Sequence, residues 1–358
     1  MFESSKFYFT MKPFVFPGII SQDILNVNTC QIPYMRTEEF STLVKNCEHM
    51  LLELFKCSAG RAIFGTSSGT AAMDAVVSNY VSTKKSPMVI AGGSFGYRWS
   101  EICTYYNISH SLFEVPFARD IDFIALEEYI DAEQPDVILC QPHETSSGQL
   151  HNLSRISELC KVRGIRLVVD AISSFLSDDF DFDALDVSIA ITSSQKGLNI
   201  APGLSFIILS DQALKEPWNR NNYYFDFKTN LDNLKRGQTP YSPATTLFMQ
   251  LHARLKLLIS EGLENHKTKV TNNAEAFRIK CREYNWQMPA QTPSNCITGF
   301  YINTDTKKLV QVLNEQGVYI MPGGSLGFLR VSHTGDNLNI SDYSELADLI
   351  FMTLNNLK

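Results

Sequence analysis

No stretch of this chain runs to the roughly 20 consecutive apolar residues that a bilayer span requires. The apolar residues of Met1 to Ile20 are broken by Lys6, Lys12, Pro13 and Pro17, so no signal-like run is expected there. Basic charge is scarce as well. With 31 Lys and Arg against 38 Asp and Glu, the net charge of -7 argues against general affinity for nucleic acid or anionic membrane. It leaves a small anionic ligand to be decided by local groups. The eight cysteines form no CxxC pair and no zinc-ligand cluster, and several lie inside apolar runs such as Val137–Cys140. They read as reduced, mostly buried thiols, and the expectation is a cytoplasmic protein without a structural metal.

Charged residues make up 19% and hydrophobic ones 44%, the balance of an ordinary globular protein with a sizeable core. Between residues 60 and 210, short apolar β-type runs alternate with helical patterns. The predicted strands are Arg61–Gly65, Met88–Ala91, Ser111–Val115, Val137–Gln141, Ile165–Val169, Val187–Ile191 and Leu204–Leu209. Helices are predicted over Thr70–Val81, Phe123–Glu133 and Leu153–Arg163, and apolar residues from Phe40 to Phe55 recur at helical spacing. Strands apolar on both faces and separated by helices imply a mainly parallel sheet sandwiched by helices, an α/β fold. After residue 240 the pattern changes to long helices around a strand-like Ile297–Ile302. The reading is a large domain over 20–245 and a smaller α+β domain over 246–358, joined by residues 1–19.

In open α/β sheets, ligands bind beyond the carboxyl ends of the strands. Unusual residues collect there repeatedly. Gly65–Thr70 follows the first predicted strand, Gly92–Phe95 the second, Pro142–Gly148 the fourth, Asp170 the fifth and Ser193–Gly197 the sixth. A Gly/Ser/Thr turn that opens a helix, as in Ser68, Gly69 and Thr70, can offer N–H groups to a phosphate or can simply cap the helix. It lacks both the Gly-Lys-Ser/Thr and the GxGxxG patterns, which disfavours nucleotides. Asp170 after a buried strand either caps the next helix or meets a cation. Lys196 is either a solvated surface charge or an amine set in a cleft, where desolvation would free it for imine formation. Phe95 is core or a stacking ring. Arg330, between Leu329 and Val331, is a structural ion pair or a fork for a substrate carboxylate.

Together these segments resemble the class V branch of the fold-type I aminotransferases that depend on pyridoxal 5'-phosphate (PLP), the alanine/serine–glyoxylate type above all and the 2-aminoethylphosphonate–pyruvate type next. The resemblance runs from about residue 15 to 335. Ser194-Gln195-Lys196-Gly197-Leu198 looks like the cofactor-lysine motif, which implies covalent attachment of PLP to Lys196, with Gln195 near its phosphate. Ser67–Ala72 resembles the phosphate turn, implicating Ser68, Gly69 and Thr70. By the same likeness Phe95 would stack on the ring, Thr145 would bring a hydroxyl near the ring oxygen, and Asp170 would meet the pyridine nitrogen. Gln238-Thr239-Pro240 implies that Thr239, with Arg236, reaches the cofactor of a neighbouring subunit, and hence a homodimer. Arg330 matches the carboxylate-binding position. Phe16-Pro17-Gly18 resembles a loop that closes over substrate, which brings in Gly18.

The resemblance implies transfer of an amino group from a small amino acid to a keto acid such as pyruvate or glyoxylate. An aminophosphonate donor and a PLP-dependent lyase or desulfurase stay open. A desulfurase needs a mobile nucleophilic cysteine and usually a His at the stacking position, where this chain has Phe95.

Overall fold

The seven apolar runs all become strands of one sheet: β1 (Arg61–Gly65), β2 (Pro87–Ala91), β3 (Ser111–Glu114), β4 (Val137–Cys140), β5 (Arg166–Asp170), β6 (Val187–Ser193) and β7 (Ser205–Leu209). This is a computed structural model that describes residues 12–302, 305–323 and 327–357; residues 1–11 of the N-terminal stretch lie outside them. The strand order is β1-β7-β6-β5-β4-β2-β3. From β6 to β3 every pairing is parallel, whereas β7 runs antiparallel to both β6 and β1. The segment joining β6 to β7 carries no helix, so β7 turns straight back against β6 instead of crossing over in parallel. Strands β2, β6 and β7 are buried along their whole length, as continuous apolar runs between two helical layers require.

Helix α1 (Glu38–Phe55) begins at Thr37, whose side chain accepts from the Phe40 N–H, and buries Phe40, Val44, Cys47, Leu51 and Leu54 along one face. Lys56 ends it in the left-handed conformation. Two further helices place site residues: α2 (Gly69–Asn79) opens from β1 and α3 (Ser94–Tyr105) from β2. Helices α4 (Phe123–Glu133) and α5 (Leu153–Arg163) match the periodicity residue for residue. Neither α3 nor α6 (Phe227–Leu234) is among the sequence expectations. Gly96, four aromatics and hydroxyls within α3 carry little helix propensity, so packing on β2 decides it.

Two hydrophobic cores are present. The larger gathers the sheet and its helices, and includes Phe248, Leu251, Leu255 and Leu258 of α7 (Thr245–Glu261). The second holds Phe277 and Cys281 of α8 (Leu263–Glu283), Leu309 and Leu313 of α9 (Thr306–Glu315), and Tyr343, Ala347 and Ile350 of α10 (Ile340–Asn356). A three-stranded antiparallel sheet backs these helices, in the order β8 (Ile297–Tyr301), β10 (Phe328–Ser332), β9 (Met321–Pro322). Residues 12–14 join the second core: Lys12–Pro13 pairs with Val318–Tyr319, and Phe14 is 1% exposed within it. Each such side chain contributes roughly 1.5–3 kcal/mol relative to exposure. Among the described residues no helix is long and apolar enough to cross a membrane.

Candidate active site

Strands β5 and β6 are neighbours, and their carboxyl ends coincide. Asp170, the last residue of β5, lies opposite Ile191 of β6, so the turn that leaves β6 at Ser193 carries Lys196 past it. Gly197 permits the approach. A Cβ there would stand 2.0 Å from the Phe175 carbonyl oxygen, so only a glycine lets the lysine turn lie on the turn that follows Asp170. The lysine turn is closed by its own bonds: the Asn199 N–H donates to Lys196 O at 2.9 Å and the Ser194 hydroxyl to Ala201 O at 2.8 Å.

One cavity is lined by Ser68, Gly69, Thr70, Phe95, Thr145, Asp170, Gln195 and Lys196. Residues from five separate strand ends therefore converge on one space. Arg98, His143 and Ser173 also line it, and the sequence reading singled out none of them. Arg98 stands one turn along α3 from Phe95, with its guanidinium 4.9 Å from that ring and donating to Thr70 Oγ1 at 3.2 Å. The Thr145 hydroxyl donates to Ser173 Oγ at 2.8 Å.

Burial sets the electrostatics. It pushes the Asp170 carboxyl up to about 7, against the N–H of Ile172 that binds Oδ1 at 2.9 Å. It pushes the Lys196 amine down to about 8, with the positive charge of Arg330 adding to the effect. Among the described residues the two charges form no ion pair within 4.0 Å. An enclosed acid and an enclosed amine, held apart across one cavity, suit a ligand that is cationic at one end and carbonyl-like at the other.

The polar fittings suit PLP. The N-terminus of α2 has no side-chain cap, which leaves its first N–H groups for a phosphate. Gly69 sits so close to Ile172 that a Cβ would meet its Cδ1 at 2.5 Å, so backbone alone faces the cavity there. Buried Gln195 Oε1 and Ser193 Oγ find no protein partner. Asp170 provides the anion a protonated pyridine nitrogen needs, and Lys196 the amine for an aldehyde.

Arg330 crosses from the small sheet. Its guanidinium donates to Thr145 O at 2.9 Å and to Pro322 O at 3.0 Å, and its Nε has no partner. Both contacts are to neutral carbonyls, so the charge is positioned without being neutralised. On the opposite side, the Phe16 ring covers Lys196, with Nζ 3.8 Å from the centroid. The Gly18 N–H donates to Asn199 Oδ1 at 2.9 Å, and Asn199 Nδ2 returns a bond to Ile19 O at 2.8 Å. Arg254, 2% exposed, joins this loop to Asp336 through a bidentate ion pair and to Asn199 O at 3.1 Å. Asn199, Arg254 and Asp336 had no sequence signal beyond their residue types.

Arg236 and Thr239 are not brought to this cavity within one chain. Exposed Arg236 donates to Asn233 Oδ1 at 2.6 Å. The Thr239 hydroxyl donates to Tyr241 O at 2.7 Å in a separate shallow groove beside Phe64 and Tyr224. Cys296 lies fully buried at the start of β8, and burial pushes its thiol up to about 12. A thiol so held is neither mobile nor nucleophilic.

Among curated proteins, the chain is 27% identical over 334 residues to an uncharacterized aminotransferase of Methanocaldococcus jannaschii, covering 89% of this chain and 86% of that protein. It is 26% identical to the serine–glyoxylate aminotransferase of Hyphomicrobium methylovorum, covering 72% and 66% respectively. The crystal structure of an alanine–glyoxylate aminotransferase from Nostoc sp. superposes with a TM-score of 0.89 at 21% identity, covering 96% of this chain and 95% of that one, a likeness of fold. The family described as Aminotransferase class-V matches residues 25–335. With that span matched, this chain belongs to the class-V aminotransferases, on the fold-type I scaffold.

Proposed function

We propose that this enzyme moves an amino group from a small amino acid to a keto acid such as glyoxylate or pyruvate, using PLP held on Lys196. The observation that carries the reading is the pair of buried opposite groups, Lys196 and Asp170, facing one cavity across adjacent strand ends. When bound, PLP supplies an electron sink that lets an amino group and a proton leave the substrate α-carbon. Ser68, Gly69, Thr70 and Gln195 hold the phosphate, and Phe95 covers one face of the ring. Asp170 keeps a proton on the pyridine nitrogen. Lys196 would be the base that holds and moves the proton lost from the substrate α-carbon. Arg330 forks around the substrate carboxylate, and Phe16 with the Gly18 loop excludes water from the amine.

The enzyme works as a homodimer in this reading, with Thr239 and Arg236 reaching the phosphate in the partner subunit. Support comes from the solvent-facing aromatic cluster beside them: Tyr223 is 84% exposed, and the rings of Tyr224 and Tyr241 stack at 5.1 Å. The two cores support the reading of two domains, over 20–245 and 246–358. The packing of α7 into the larger core favours a division nearer Gly262 than residue 245, with residues 12–19 in the smaller unit. Seven of the eight cysteines are buried thiols, which suits a reducing cytoplasm.

The test is a screen of amino donors against glyoxylate and pyruvate. Small α-amino acids should give ping-pong kinetics with one of these acceptors. Turnover with 2-aminoethylphosphonate alone, or with no α-amino carboxylate at all, would contradict the reading. Arg330→Ala should raise KM for carboxylate substrates about tenfold to a hundredfold, the loss of roughly 1.5–3 kcal/mol from charge-assisted bonds. If KM holds and only the melting temperature falls, Arg330 serves to tie β10 to Thr145 instead.

A further inference from the structure

The hydrogen-bond directions around Thr145 leave the cavity short of a donor. Ser173 Oγ donates to the His143 carbonyl oxygen at 3.3 Å, and a carbonyl can only accept. The Ser173 proton is thereby used, so the bond between Thr145 and Ser173 must draw on the Thr145 proton. Both hydroxyl protons at this end of the cavity are spent on protein. Beside them stands His143, 2% exposed and lining the same cavity as Lys196 and Asp170, with neither ring nitrogen hydrogen-bonded. A buried imidazole with two orphaned nitrogens is a costly feature unless a ligand completes it.

We infer that His143 is a positioning residue for the reaction, and that its imidazole N–H meets the phenolic oxygen of PLP. This rests on the reading of the cavity as a PLP site with Lys196 on the aldehyde carbon. The phenolic oxygen sits on the ring carbon beside the one that bears the aldehyde, on the edge opposite the phosphate arm. His143 lines the cavity with Thr145 and Ser173, and the Lys196 charge acts on its ring. Burial, then the charge of Lys196, with His151 and Arg278 adding to it, push the ring down to about 3, offset only in part by the Ser173 backbone, which closes no hydrogen bond with either ring nitrogen. The ring is therefore neutral at working pH, with one N–H to give. Arg98, Glu144 and Arg330, the other charged groups near this end, are held by Thr70, by Gln141 and Ser146, and by the Thr145 and Pro322 carbonyls. A donor on the phenolic oxygen stabilises its negative charge and competes with the proton on the Lys196 nitrogen for the same oxygen. His143 in this way lowers the proton affinity of the lysine–cofactor linkage and sets which form prevails near neutrality.

The test is a pH titration of the visible absorption of PLP-loaded wild type, His143→Phe and His143→Asn. Phenylalanine keeps the ring volume and removes the donor; asparagine keeps a shorter donor. His143→Phe should raise the midpoint by about one pH unit or more and weaken PLP about tenfold, the scale of one hydrogen bond to a charged group. His143→Asn should fall between Phe and wild type. An unmoved midpoint in His143→Phe, or equal shifts in both variants, overturns the assignment. Should His143→Phe fail to fold, the wild-type imidazole can be followed by ¹⁵N NMR. A hydrogen-bonded N–H signal that appears only on loading PLP supports the proposal, and an unchanged ring refutes it. Borohydride must fix PLP to Lys196 in every folded variant; failure there strikes the cofactor reading, whereas the midpoint tests His143 alone.

Discussion

Lys196→Ala, reconstituted with PLP, should lose turnover by roughly ten-thousand-fold, the upper range of what one acid–base group contributes. The visible absorption of a lysine-linked cofactor should vanish with it. The fold should not suffer. In the wild type the amine is enclosed and pushed down to about 8, so at pH 7 the cofactor-free protein holds a buried positive charge that the variant removes. The melting temperature of the cofactor-free variant should therefore equal or exceed that of wild type. The same depressed value predicts how the apoenzyme takes up PLP. Only the neutral amine attacks an aldehyde, so the rate of uptake should climb as pH rises through about 8 and level off above it. A variant that keeps both turnover and colour would transfer the role to another lysine.

Asp170→Asn separates function from stability in opposite directions. Without the carboxylate, nothing holds the pyridine proton, and kcat should fall on the order of a hundredfold to a thousandfold, as when one preorganised charge is removed from a reacting centre. Stability of the cofactor-free protein should move the other way. Burial raises the Asp170 carboxyl from its ordinary range to about 7. A carboxyl raised in the folded state binds its proton more tightly there than in the unfolded chain. Its contribution is favourable at low pH and turns into a burden as pH climbs from the unfolded value, near 4, through about 7. At pH 8 the asparagine variant should be more stable than wild type by about 2–4 kcal/mol without PLP, and the gap should narrow to about 1 kcal/mol at pH 5. Added PLP should stabilise wild type far more than the variant. Thermal melts at the two pH values, with and without PLP, check all three statements; equal stability at pH 8 would mean that Asp170 already has a cation.

The sheet was legible because its strands are apolar on both faces, and Val187–Ile191 or Ser205–Leu209 could be little else. The site was legible for a related reason. Parallel strands put their carboxyl ends on one edge, so turns as far apart in sequence as Ser68–Thr70 and Ser194–Lys196 share a cavity once the strand order is fixed. What escaped was contact at long range between residues of no particular pattern. Asn199 bonds Gly18 across 181 positions, and Arg254 pairs with Asp336 across 82; no local spacing encodes either. The antiparallel sense of β7, itself an expected strand, escaped as well because the turn before it sets it, and the short pairing of His143–Glu144 with Gln149–Leu150 lies in a segment that read as loop. His143 lies in the Pro142–Gly148 turn, but its importance rests on two nitrogens left without partners, and only the fold can expose that.

Mild borohydride reduction of the PLP-loaded wild type, followed by peptide mapping, puts the central claim to its most direct trial. The account predicts a single modified lysine, in the peptide that contains Ser194-Gln195-Lys196-Gly197, with complete loss of activity in proportion to labelling. Labelling of any other lysine in that proportion, or a loaded protein on which borohydride fixes nothing, would contradict it.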